Sequence, residues 1–211
     1  MMMARLLAAL LLLFPMTASA EEITPATVVV AFDRDSITPL IVEGVRNRES
    51  WEPVKANDPV RIASISKLIM AIATLRLVDE GVVDLDTDVS EYLVWQVRHP
   101  NFPDAKVTLA QLLSHRSGLR DSAGYVIPLG ESLEAKLAEP GAWYAGAAPG
   151  EAPFEYANLG SPVVATVLEA ATGERYDRIL EGAVFAPLGI EGCVNWFGCD
   201  ADKIGRAVKL Y

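Results

Sequence analysis

The sequence is short of the residues from which most enzyme centres are assembled. Only two cysteines and two histidines occur in 211 residues. The cysteines, Cys193 and Cys199, share one short run, CVNWFGC, with no further Cys or His beside them to complete a zinc site. The histidines, His99 and His115, are not paired at helical spacing, so a metal centre is not expected. No G-x-S-x-G segment is present, which removes the strand-to-helix elbow of one large class of Ser-His-Asp hydrolases. With two histidines to choose from, a triad is disfavoured, and His115 in SHRSGL is read as structural.

Positive charge is scarce as well. Lys and Arg number 18 against 28 Asp and Glu, for a net charge of −10. An acidic chain argues against nucleic acid and against an anionic membrane surface as partners. Long apolar runs are lacking after the first twenty residues. Residues 1–20 carry one basic side chain, Arg5, then an apolar run over 6–14 and the ending Ala18-Ser19-Ala20. This is the pattern of a secretory signal peptide with an A-x-A cleavage site. The run is too short to span a bilayer. No transmembrane helix is expected after cleavage, and no cysteine at the cleavage point offers a lipid anchor. The expected location is periplasmic or secreted, with residues 21–211 as one domain. In that oxidising setting Cys193 and Cys199 are expected to form a disulfide.

What the sequence does have begins at residues 61–81, RIASISKLIMAIATLRLVDEG. Six apolar residues in a row, 68–73, are followed by Leu75, Leu77 and Val78, then by Asp79, Glu80 and Gly81. The stretch predicts a helix buried on most sides and closed by a glycine C-cap. Ser64 and Lys67 stand three apart at its head, so they share a helix face. Burial and the positive end of the helix dipole both favour a neutral lysine amine there. A neutral amine beside a serine hydroxyl accepts its proton and makes the serine a nucleophile.

The rest of the chain reads as a frame. Residues 26–32 (ATVVVAF) and 37–45, joined by a polar turn, predict a β-hairpin in which Pro39 marks an irregular position. Residues 47–59 read as a polar loop. Asp84, Asp86 and Asp88 alternate, but Val89 and Trp95 stand where a calcium loop wants Gly and Glu, so a solvated acidic turn before a short helix is expected. Thr108 and Gln111 form a capping box for a short helix. Further helices are predicted over 131–138, from Ser161-Pro162 to Gly173, over 174–185 and over 200–211, with a loop at 143–154. The hairpin finds no partner strands downstream. Tyr156 and Asn158 lie two apart in PGEAPFEYANLG, so an extended loop turns both the same way; a phenol relays a proton and a carboxamide holds a lysine amine or a substrate amide.

S-x-x-K alone carries no specificity. RIASISK, LLSHRSGL and PGEAPFEYANLG together, in this order, resemble the serine hydrolases related to class C β-lactamases and D-alanyl-D-alanine peptidases. The resemblance runs from about Val28 to about Ile190. It implies an α/β (α+β) fold of the β-lactamase/transpeptidase type. It further implies Ser64 as the acylated nucleophile, Lys67 as its activating amine, Tyr156 as general base and Asn158 as a substrate and lysine contact. No cofactor is implied, and the substrate class is a β-lactam, a D-Ala-D-Ala-like peptide or a small ester. The family's late Lys-Thr-Gly or His-x-Gly strand motif does not occur after Asn158. The chain therefore corresponds to the N-terminal part of such a domain, lacking the C-terminal strands of the sheet, with its activity in this length open. The alternative is a non-catalytic relative that binds a peptidoglycan-like or acyl ligand. Loss of Ser64 or Lys67 would favour it, and both are present.

Overall fold

The computed structural model describes residues 23–211, so the expected leader at 1–20 lies outside the described residues. The chain forms two compact units. One comprises the described residues up to Asp58 with Arg206–Tyr211; the other is Pro59–Gly205.

In the first unit, β1 (Thr27–Phe32) pairs antiparallel with β2 (Ile37–Glu43). The turn is tied by the Asp33 carboxylate, which accepts from the Asp35 and Ser36 amides at 2.9 and 2.8 Å. The register slips once: Val29 faces Ile41 and Val30 faces Pro39, leaving Leu40 as the extra residue. A proline has no amide to give to a ladder, and it sits at this bulge as expected. The second strand was expected to run to residue 45 and stops at Glu43. Gly44 adopts φ 83°, and a Cβ there would collide with the Pro25 carbonyl, so the chain must turn on glycine. Beyond it, β3 (Val45–Asn47) pairs with β4 (Glu52–Pro53), and β4 lies inside the stretch read as loop. The helix expected over 200–211 spans only Ala201–Arg206. The last residues instead run beside β3: the Lys209 amide donates to the Arg46 carbonyl at 2.8 Å, and the Tyr211 hydroxyl reaches Asn47 Oδ1 at 2.9 Å. An open strand edge offers those donors partners that a frayed helix end does not.

The second unit is helical. A 3₁₀ turn at Ala63–Ile65 leads into α1 (Ser66–Asp79). Its end is the expected glycine stop: Gly81 takes φ 72°, and the Gly81 and Val82 amides donate back to Val78 and Leu77. The burial differs from expectation. Met70, Ala73, Thr74 and Leu77 are buried, whereas Ile65, Leu68 and Leu75 are exposed. One apolar face of α1 is packed and a second lies open. The capping box of α2 (Leu109–Leu113) forms as read, with Gln111 and Thr108 exchanging hydrogen bonds of 3.3 and 3.1 Å. Ser132 caps α3 (Leu133–Leu137). α4 (Gly160–Thr172) starts one residue before Ser161, which does not cap it; the Ser161 amide donates to the Asn158 carbonyl instead. Its Val163, Val164, Val167 and Leu168 fill the core with Leu109 and Leu159. The single helix expected over 174–185 is α5 (Tyr176–Leu180), a π-helical turn at Glu181–Phe185 and α6 (Ala186–Leu188). Gly182 weakens a helix, and Pro187 lacks the amide that would bond one turn back, so the coil widens there. α1 packs against α4, α5 and the π turn. No helix among the described residues is long and apolar enough to cross a membrane.

Candidate active site

Ser64 sits in the 3₁₀ turn and Lys67 in the first turn of α1, so three residues of tight coil aim both side chains one way. The preceding Ala63 holds φ 45°, an unusual conformation for a residue with a Cβ, and this bends the backbone into the turn. Lys67 Nζ lies 3.3 Å from Ser64 Oγ and 2.8 Å from Asn158 Oδ1. Tyr156 Oη lies 2.6 Å from the same Ser64 Oγ. The lysine nitrogen is also 4.8 Å from the centre of the Tyr156 ring, over its face. Tyr156 thus reaches the Ser64 hydroxyl from 92 residues away, and Asn158 reaches the Lys67 amine from 91. All four residues singled out for chemistry meet here, and Tyr156 and Asn158 turn the same way from their extended loop.

The electrostatics favour an ionisable phenol. Tyr156 is held below the usual tyrosine range, first by the Lys67 side chain and then by the hydrogen bond with Ser64; desolvation and the Asp121 charge oppose this. The carboxamide of Asn158 is fully oriented. Its oxygen accepts from Lys67, and its nitrogen donates to Asp121 Oδ2 at 2.8 Å.

Two residues around this centre were not singled out for it. Asp121 begins a 3₁₀ turn and accepts three hydrogen bonds: from Asn158 N and Nδ2 at 3.0 and 2.8 Å, and from Leu159 N at 3.0 Å. His115 packs its ring on that of Tyr156, centroids 4.6 Å apart, and its Nδ1 accepts from the Ala157 amide at 3.3 Å. Its own carbonyl accepts from the Glu155 amide. The histidine so brackets the backbone on both sides of Tyr156, which is a structural use. Burial, then the Lys67 charge, hold its imidazole below the ordinary histidine range. No spacing rule points to Asp121; the one available sign was an acidic residue closing the segment SHRSGLRD.

Cys193 and Cys199 are bridged, with Cα atoms 5.5 Å apart. Their loop borders a cleft lined by Asp177, Arg178 and Phe185 rather than the serine. Among the described residues no group of three or more His, Cys, Asp or Glu side chains is placed to hold a metal. The Asp84 carboxylate is occupied by the amides of Asp86 and Thr87, as a turn requires.

The chain is similar to several known proteins. The beta-lactamase family model matches residues 19–200. Esterase EstB of Burkholderia gladioli is 31% identical over 170 residues, covering 72% of this chain and 42% of the esterase. The D-alanyl-D-alanine-carboxypeptidase/endopeptidase AmpH of Escherichia coli K12 is 32% identical over 145 residues, covering 63% of this chain and 35% of AmpH. The chain thus spans less than half the length of these relatives. Among solved structures, the D-amino acid amidase of Ochrobactrum anthropi SV3 superposes with a TM-score of 0.69 over 88% of this chain and 50% of the amidase; at 22% identity this is a likeness of fold. The fold is accordingly of the β-lactamase/transpeptidase type, in part.

Proposed function

The chain belongs to the beta-lactamase family; from this premise we propose that it is a serine hydrolase acting through an acyl-enzyme on Ser64. The observation that carries the reading is the single hydroxyl held by two groups whose deprotonated forms can take its proton, Tyr156 Oη at 2.6 Å and Lys67 Nζ at 3.3 Å. Ser64 Oγ attacks the substrate carbonyl carbon, and its proton passes to the phenol–amine pair. The backbone amide of Ser64 supplies a hydrogen bond to the developing oxyanion. The same pair returns the proton to the leaving group, and water then cleaves the acyl-enzyme. Asn158 holds Lys67 in place; as its amide nitrogen already serves Asp121, it has one N–H left for a substrate carbonyl. No cofactor enters this chemistry.

The substrates we propose are an amide or ester carbonyl: a β-lactam, a D-Ala-D-Ala-like peptide or a small ester. Names of relatives support this breadth, since one is an esterase and another a carboxypeptidase/endopeptidase. We propose export through the leader at residues 1–20 to the periplasm or medium. We also propose that residues 21–211 act as the N-terminal part of a larger hydrolase domain whose further strands cover the β1–β2 hairpin. Support comes from hairpin side chains that stay exposed, Phe32 at 80% and Ile37 at 75%.

The test is covalent. Protein incubated with a fluorophosphonate and with a fluorescent penicillin is digested and read by mass spectrometry. An adduct on Ser64 is expected. Lys67→Met, close in length, is expected to abolish labelling while leaving the unfolding free energy within about 1 kcal/mol of the parent. Unchanged labelling of that variant would remove the amine from the mechanism.

A further inference from the structure

We infer that Asp121 is a positioning residue that fixes which end of the Asn158 carboxamide faces Lys67. The inference rests on the acyl-transfer reading of the site and adds a residue to it. A carboxamide presents an oxygen and a nitrogen of nearly equal shape, so packing alone does not choose between its two orientations. Hydrogen-bond polarity does. An ionised carboxylate only accepts, and a lysine amine whose one lone pair is turned to Ser64 has only N–H donors left for Asn158. Asp121 Oδ2 takes the Asn158 Nδ2 donor at 2.8 Å, which leaves Oδ1 for the lysine, also at 2.8 Å. The chain Asp121–Asn158–Lys67–Ser64 therefore has one allowed direction, set at its carboxylate end.

That end is itself anchored. The Asn158 and Leu159 amides hold both carboxylate oxygens, each at 3.0 Å. On the other side, Leu119 is buried and the Arg120 amide donates to the Ala142 carbonyl at 2.9 Å, so the backbone that carries Asp121 is fixed. With Asn in place of Asp121 the polarity is lost. The amide of Asn158 is then free to present its nitrogen to Lys67, donor against donor, and to push the amine from Ser64. Misplacement of this kind costs rate rather than fold.

The experiment compares the parent chain with Asp121→Asn in fluorophosphonate labelling from pH 5 to 10, at a temperature where both are folded. The variant is expected to label about 10- to 100-fold more slowly. A second readout separates positioning from a general loosening. The groups around the Tyr156 phenol are Lys67, His115, Asp121 and, one residue away, Glu155 paired with Arg120 at 2.6 Å. Of these, Asp121 opposes ionisation of the phenol. The Lys67 side chain is the leading cause that holds the phenol low, so an amine pushed away is expected to move the acidic limb of the labelling profile to higher pH, whereas loss of the Asp121 charge alone moves it to lower pH and loosening lowers the rate at every pH without moving the limb. Equal rates, or a limb unmoved or moved to lower pH, overturn the inference while the acyl-transfer reading stands. If the parent itself does not label, that reading falls, and the inference is decided by the Asn158 side-chain amide in ¹⁵N spectra, assigned by its loss in Asn158→Ala. Amide protons shifted in Asp121→Asn uphold the inference, and unshifted ones overturn it.

Discussion

The residue before the nucleophile is under strain. Ala63 holds φ 45° with no glycine to make it easy. A left-handed conformation costs an L-residue roughly 1–2 kcal/mol, part of which glycine gives back through its looser unfolded chain. Ala63→Gly is therefore expected to stabilise the protein by about 0.5 kcal/mol, and Ala63→Val, branched at Cβ, to destabilise it, both read from urea midpoints. A midpoint that falls for glycine would mean the turn is shaped by something other than its neighbour's backbone. At this scale the sequence was readable where chemistry depends on short spacing. Ser64 with Lys67 and Tyr156 with Asn158 are pairs three and two apart, and helix or strand periodicity alone aims each pair. Asp121 was not readable, because its value comes from Asn158, 37 residues on, and no local period links the two.

The element that carries His115 connects site and stability. Its imidazole, half-buried, is held below the usual histidine range by burial and by Lys67, with Asp121 opposing. The folded state thus prefers the neutral ring, while the unfolded chain takes up a proton from about pH 6.5 downward. Between that value and the lower folded one, the unfolded state binds more protons, so stability falls as pH falls. Thermal midpoints are expected to drop from pH 7.5 to pH 5.5, and His115→Asn, which tolerates the φ of 57° at this position, is expected to flatten that drop. A slope that persists in the variant would assign it to other groups. The carboxylates of Asp33, Glu52 and Asp84 lie below their ordinary values and act in a more acid window, so the two ranges are separable. Elements with a local signal, such as the Thr108–Gln111 capping box and the Gly81 stop, were readable. The break of the 174–185 helix into a π turn and the second short pair β3–β4 were not, since both depend on what packs against them.

Across the molecule the uncovered apolar surface is the outstanding property. β1 alternates Val28, Val30 and Phe32 on one face with Val29 and Ala31 on the other, and every one of them is exposed. A strand apolar on both faces is written for burial on both faces. In the second unit Ile65, Leu68 and Leu75 form a stripe along α1 that is likewise open. The periodicity of α1 announced an apolar helix correctly but could not say that only one side would be packed, because burial belongs to the partner and not to the strand or helix that seeks one. Two open edges on a two-stranded sheet add unpaired backbone groups to this surface. The chain as it stands is therefore expected to associate in a concentration-dependent way and to bind a hydrophobic dye. Val29 and Ile41 face each other across the hairpin, each about two-fifths exposed. Val29→Lys with Ile41→Glu preserves the cross-strand pair as opposite charges and removes apolar area from one face. Sedimentation velocity is expected to show the association weakened in this double variant, with helical circular dichroism unchanged. Strands supplied by a longer polypeptide would reverse the sign, since buried charges in a covered face destabilise by several kcal/mol where bare ones cost almost nothing. The same two substitutions, made in the short chain and in a chain extended by the strands of a full-length relative, thus report whether that face is solvent or interior: association relieved in the first, folding lost in the second.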